Sequence, residues 1–202
     1  MTYEIDAAPL WKPNPNTVGD TGMAVFMQAM GHGRYSDLWQ WSVDQPEVFW
    51  SKLWDFCGVV GEKGSEILVD RNKMPGARWF PEARLNYAEN LLKNREDGEA
   101  LVFWGEDKVK RRVSRSELHA EVARFQQFLI AAGVGEGDRV AGFMPNLPET
   151  LIAMLATVAL GAIWSSASPD FGVQGVLDRF GQIEPKVLVC VDGYWYNGKQ
   201  VD

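Results

Sequence analysis

The feature that most constrains this chain is a regular alternation of strand and helix patterns between residues 100 and 191. Residues 100–104 and 108–113 read as two strands joined by a turn at Gly105-Glu106-Asp107. Ser114-Arg115-Ser116-Glu117 is a capping box, and Leu118, Val122, Phe125 and Leu129 then recur at i, i+4, i+7, i+11, so one stripe of a helix is buried and Gly133 ends it. Residues 139–144 form the next strand. Asn146-Leu147-Pro148-Glu149 caps a helix that Gly161 stops, 162–167 is a strand, and Asp170 caps a helix running to Ile183. Residues 187–191 are a continuous apolar run, the pattern of a strand covered on both faces. Strand, helix, strand, helix, strand implies right-handed βαβ units. The predicted fold class is therefore α/β: a mainly helical amino-terminal segment, then the first βαβαβ units of a doubly wound parallel sheet. Ligands of such sheets bind beyond the carboxyl ends of the strands, which here are residues 144–146, 165–170 and 191–193.

The texture changes near residue 98, so the chain is expected to divide into 1–98, rich in Trp and Pro, and 99–202, the start of an α/β domain. Pro9, Pro13 and Pro15 predict an extended run over the first twenty residues. Met23, Phe26, Met27 and Met30 mark a core-facing helix stopped by Gly31. Asp44-Gln45-Pro46-Glu47 reads as a capping box, opening a helix with Phe49, Leu53 and Phe56 on one face and Trp50, Trp54 and Cys57 on the next. With Trp39 and Trp41, these rings suit either an aromatic platform or a second small core; no basic residues interleave with them as stacking sites require, which favours the core. Gly76-Ala77-Arg78-Trp79-Phe80 is a turn into an aromatic pair, and Asn86-Tyr87-Ala88-Glu89 caps a short helix through Leu92.

Twenty basic residues against 27 acidic ones leave a net charge of −7, which argues against nucleic acid or an anionic membrane surface as partner. The start, MTYEIDAAPLW, lacks the basic and apolar regions of a targeting segment. The longest nearly apolar run, 151–164, is too short to span a bilayer. Cys57 and Cys190 lie far apart and form no CxxC, so they are expected to be reduced core thiols of a cytoplasmic protein.

Catalytic signatures are sparse. His32 sits in a Gly-His-Gly loop and His119 on a helix, expected to face water; neither has a partner at metal-ligand spacing. There is no G-x-S-x-G and no G-x-x-x-x-G-K-[ST], and no catalytic or metal-binding residue is assigned. Gly133-Val134-Gly135-Glu136-Gly137 lies between a helix and a strand, whereas a dinucleotide fingerprint lies between a strand and a helix; it reads as a helix stop and turn. The polar loop 165–170 could present a helix N-terminus to an anion, or serve only as a cap. Residues 194–196, Asn197-Gly198 and 199–201 read as a β-hairpin. A last parallel strand without a following crossover suggests the amino-terminal piece of a longer protein.

Trp79-Phe80-Pro81-Glu82-Ala83-Arg84-Leu85-Asn86 resembles the W-F-x-x-x-x-L-N signature near the amino terminus of the short-chain acyl-CoA synthetases. The continuation Tyr87-Ala88-Glu89-Asn90-Leu91, the segment 35–43 and Pro169-Asp170-Phe171-Gly172 are similar to the members acting on acetoacetate. Ser114-x-x-Glu117-Leu118, Gly137-Asp138-Arg139-Val140 and 149–162 resemble early core motifs of adenylate-forming enzymes generally. The resemblance runs from about Trp11 to Asp202. It implies an ATP-dependent ligase that joins a carboxylate to AMP with loss of pyrophosphate, then lets the CoA thiol displace AMP. ATP, CoA and Mg are implied for the parent enzyme, with acetoacetate, ATP and CoA as small-molecule substrates and neither nucleic acid nor membrane as partner. The family's phosphate loop, adenine and ribose motifs and adenylating lysine do not occur here, so this chain alone is expected to be inactive and to hold none of these ligands tightly. In acetyl-CoA synthetases an R-x-G-R segment after the third core strand holds the CoA phosphates; Tyr196-Asn197-Gly198-Lys199 occupies that place, which implies a CoA contact for Lys199. Ser168-Pro169-Asp170 stands where those enzymes carry a phenylalanine-glycine-glycine loop, which implies CoA contacts for Ser168 and Asp170. Rival readings are a ligase for another short acid such as acetate or propionate, and a non-catalytic α/β module that binds a nucleotide, a CoA-type ligand or a partner. A nicotinamide oxidoreductase is a weaker third.

Overall fold

The structure is a computed structural model that describes residues 11–201. Pro9 and most of the start lie outside the described residues, as does Asp202. The chain divides into two compact units, with the boundary in the sequence between Arg84 and Leu85.

The first unit is mainly helical. Helix α1 (Pro15–Val18) begins on Pro15, with the Asn14 side chain accepting from Asn16 N, so the expected extended run does not hold there. A proline at the first helical position loses no intrahelical bond. Helix α2 (Gly22–Ala29) is capped by Thr21 and buries Phe26, while Met23 stays exposed. Trp39 and Trp41 belong to a helix the pattern did not suggest, α3 (Tyr35–Asp44), whose buried residue is Leu38. Asp44 ends α3 and accepts from the Gln40 amide at 2.9 Å, so it does not cap α4 (Pro46–Phe56); the cap position is Gln45. Phe26 packs edge-on to Phe49 (5.9 Å between centroids) and against Phe56 (4.9 Å), and Trp41 meets Phe49 at 5.5 Å. These rings make the expected small core, although Trp39 and Trp50 are more than two-fifths exposed. Strands β1 (Leu68–Val69) and β2 (Arg78–Trp79) pair antiparallel.

The second unit opens with α5 (Tyr87–Leu91), where Asn86 Oδ1 accepts from Glu89 N. Strands β3 (Glu99–Gly105) and β4 (Val109–Ser114) form the expected hairpin. Helix α6 (Arg115–Ala131) carries the full capping box: Ser114 Oγ accepts from Glu117 N, and Glu117 Oε2 accepts from Ser114 N at 2.8 Å. Leu118, Val122 and Leu129 are buried, each worth roughly 1.5–3 kcal/mol of transfer free energy.

Three strands form the parallel sheet: β5 (Arg139–Phe143), β6 (Ile163–Ala167) and β7 (Val187–Cys190), in the order β6-β5-β7. Successive residues of β5 serve opposite layers. Val140 joins the core beneath α6 and α7 (Pro148–Ala159), and Ala141 meets Phe180 of α8 (Val173–Ile183) on the other face. Helices on both faces of a parallel sheet make this the doubly wound start that the pattern predicts. Strand β7 is not covered on both faces: Val187 and Val189 pack inward, but Leu188 is 51% exposed. Helix α8 lies over Ala141 and Ala167, in β5 and β6. Cys57 and Cys190 form no disulfide, and both are exposed rather than core. Among the described residues, no helix is long and apolar enough to cross a membrane. The unit closes with the hairpin β8 (Tyr194–Tyr196) and β9 (Lys199–Val201), turning at Asn197 (φ 51°) and Gly198 (φ 73°).

Candidate functional site

A cleft of about 710 Å³ opens where the fold class predicts, at the carboxyl ends of the parallel strands. Pro145 and Asn146 follow β5, Ser168-Pro169-Asp170 follow β6, and Asp192 and Gly193 follow β7; all seven line it. The β3–β4 hairpin adds Trp104, Glu106 and Arg111, the start of α7 adds Glu149, and the last hairpin adds Tyr194, Trp195, Tyr196 and Gln200. Arg111 Nη1 donates to Glu149 Oε1 at 2.6 Å, tying β4 to the first turn of α7. The other charged wall residues are the carboxylates Glu106, Asp170 and Asp192. Aromatic rings with acceptor carboxylates suit a ligand that offers a flat face and N–H or O–H donors.

Two of the three residues singled out from the sequence meet here. The Ser168 hydroxyl donates to Asp170 Oδ2 at 2.9 Å, and Asp170 N donates back to Ser168 Oγ at 3.3 Å. This local turn engages Asp170, which therefore does not cap α8: that helix starts at Val173, with Gly172 at the cap position and no side-chain cap. Likewise Leu147, not Asn146, is the cap residue of α7, because Pro148 fixes the first helical position. Lys199 lies on β9, exposed and paired in register with Tyr196, and is not among the residues that line the cleft. The charged frame of Glu106, Arg111 and Glu149 was not legible as a site. Arg111 and its partner are 38 residues apart, and alternation along β4 only marks Arg111 as a strand residue.

The glycine-rich segment behaves as a stop and turn: Gly133 and Gly137 both have φ of 77°, and Gly135 N donates to Asp138 Oδ2 at 2.8 Å. His32 stacks near Trp41, 5.1 Å between ring centroids. His119 does not face water as expected; it is partly buried, and its Nε2 is enclosed without a hydrogen-bond partner. Among the described residues, no group of three or more His, Cys, Asp or Glu side chains is placed to hold a metal ion.

Residues 88–202 match the family model of the AMP-binding enzymes, and residues 35–91 match the acetyl-coenzyme A synthetase N-terminus model. The chain is 54% identical over 200 residues to an acetoacetyl-coenzyme A synthetase of Rhizobium meliloti (strain 1021), an alignment covering 96% of this chain and 31% of the relative. It is 40% identical over 211 residues to the acetoacetyl-CoA synthetase of Xenopus tropicalis, covering 99% of this chain and 31% of the relative. The solved acetoacetyl-CoA synthetase from Streptomyces lividans superposes with a TM-score of 0.88 at 42% identity, over 97% of this chain and 32% of that one. The chain thus spans about a third of the length of the proteins it matches. The helix-flanked parallel sheet, its cleft at the strand ends and the match over residues 88–202 lead to one assignment: the chain belongs to the family of AMP-binding enzymes.

Proposed function

We propose that this chain is the amino-terminal third of an ATP-dependent acetoacetate–CoA ligase, and that its cleft serves the CoA half of the reaction. The observation that carries this reading is the 54% identity, sustained over 96% of the chain, to an acetoacetyl-coenzyme A synthetase. A carboxylate is a poor electrophile. The ligase joins acetoacetate to AMP, releasing pyrophosphate from ATP held with Mg, and the resulting mixed anhydride lets the CoA thiol expel AMP.

In this reading, Lys199 meets a CoA phosphate as a point charge, and the Ser168–Asp170 turn borders the same ligand. The position of the turn in the cleft wall and of Lys199 beside Tyr196 and Gln200 supports that arrangement. The cleft itself carries more carboxylate than guanidinium, so the phosphates lie outside it, on the Lys199 side. Two cysteines outside any disulfide support a cytoplasmic location.

The test is acetoacetate-dependent ATP–pyrophosphate exchange by the complete protein, followed by thioester formation with CoA. Exchange with acetate but not acetoacetate would instead favour a ligase for another short acid, a reading supported by the acetyl-coenzyme A synthetase N-terminus match over residues 35–91. Lys199→Ala in the complete protein is expected to raise the KM for CoA several-fold, by roughly 1 kcal/mol for one exposed charge, and to spare pyrophosphate exchange. An unchanged CoA dependence dismisses Lys199 as a contact.

A further inference from the structure

Two hairpin tips that are far apart in sequence meet beside the cleft. In a two-residue turn such as Asn197-Gly198, the amide of the second residue takes no part in the strand ladder and is left to find an acceptor. Here Gly198 N donates to Glu106 Oε2 at 2.8 Å, across 92 residues of sequence. Glu106 itself holds φ at 54°, in the left-handed region where glycine is the usual occupant. A side chain at such a position carries backbone strain that glycine would not. The same turn supplies Lys108, whose Nζ lies 5.7 Å from the centroid of the Trp195 ring, within range of a cation–π contact. Glu106 and Trp195 both line the cleft. The tip of the β3–β4 hairpin therefore grips the β8–β9 hairpin at its turn and on its ring face.

We propose that Glu106 is a positioning residue: its carboxylate holds the β8–β9 hairpin against the cleft and so sets where Lys199 and Gln200 stand for the phosphate-bearing substrate. The effect on CoA rests on the ligase reading above; the grip itself does not. A charge-assisted bond to a backbone amide is stronger than a neutral one, and its loss leaves the Gly198 amide without the Glu106 acceptor.

The experiment compares Glu106→Gly and Glu106→Gln in the complete protein. Glycine accepts the left-handed backbone, so Glu106→Gly removes the grip without straining the turn. Glutamine keeps an acceptor oxygen and serves as the rescue. Hydrogen-exchange mass spectrometry of a peptide spanning residues 194–201 reads the grip. Steady-state kinetics read its consequence as the KM for CoA relative to the KM for ATP. Glu106→Gly is expected to speed exchange in that peptide and raise the KM ratio about tenfold, with Glu106→Gln, which keeps an acceptor but loses the charge, between Glu106→Gly and the parent in both. Unchanged exchange in Glu106→Gly overturns the grip. Faster exchange with an unchanged KM ratio overturns the positioning role. A complete protein without acetoacetate-dependent pyrophosphate exchange overturns the ligase reading alone, and the grip is then judged by hydrogen exchange.

Discussion

Gly142 sits in the middle strand of the parallel sheet because there is no room for anything larger. A β-carbon built on it would lie 2.5 Å from Cη2 and Cζ2 of Trp164, on the neighbouring strand. The ring fills the space under α7 that the missing side chain leaves. Gly142→Ala is expected to destabilise the second unit by about 1–3 kcal/mol through overpacking, read as a lower urea midpoint with an unchanged slope. Trp164→Phe placed on that background should recover part of the loss, because a smaller ring withdraws the clashing atoms. A sequence reading sees only an isolated glycine in a strand, and cannot say which ring approaches it. The same limit applied to Asp170. Its identity and place suggested a helix cap, but the Ser168 hydroxyl took up its carboxylate and the helix began three residues later, at Val173.

Among the elements, helix starts show which local signals decide. The Ser114–Glu117 box formed in full, with both reciprocal bonds made, even though the Ser116 hydroxyl lies 3.1 Å from Ser114 Oγ. Ser114→Ala is expected to cost about 1 kcal/mol, measurable as a drop in Tm of the second unit. At α4 and α7 the apparent caps Asp44 and Asn146 were displaced by one residue. Pro46 and Pro148 occupy the first helical turn, so Gln45 and Leu147 became the cap positions by geometry rather than by side-chain chemistry. Helix α3 went unpredicted because its aromatic residues, Trp39 and Trp41, are two apart, a spacing that reads as strand-like although Leu38 is the residue that is buried. Strand β7 was misjudged for a related reason. Its continuous apolar run matches a two-sided strand, yet only Val187 and Val189 found partners in the core.

For the whole molecule, acid is the expected weakness. Asp138 is held below the ordinary carboxylate range first by the hydrogen bond from Lys186 and then by the amide of Gly135. Glu117 is lowered by the Ser114 amide and hydroxyl, and Glu82 by those of Ser65. A carboxyl whose folded pKa is depressed contributes stability above its unfolded pKa and loses it as pH falls through the folded value. Stability should therefore decline on acidification from the ordinary carboxylate range downward. Asp138→Asn should flatten that decline in a Tm-against-pH series; an identical acid limb in the variant would remove Asp138 from the account. At this scale, too, the 202-residue chain by itself is expected to show no acetoacetate-dependent ATP–pyrophosphate exchange. The charged side chains of its cleft are mainly carboxylates, which repel a triphosphate. Measurable exchange by the chain alone would refute that.

The sequence by itself determined what is local and periodic. The buried stripe of α6, the Ser114 box, the β3–β4 and β8–β9 hairpins and the alternation that builds a parallel sheet all follow from residues within a few turns of one another. That alternation also located the cleft, because parallel βαβ units bring strand carboxyl ends to one edge. What only the tertiary structure decided is which distant groups meet there. Arg111 with Glu149, Glu106 with the Gly198 amide and Trp164 over Gly142 each join separate elements. Such pairings depend on how strands are ordered and how hairpins fold back on them, and no short-range propensity encodes them.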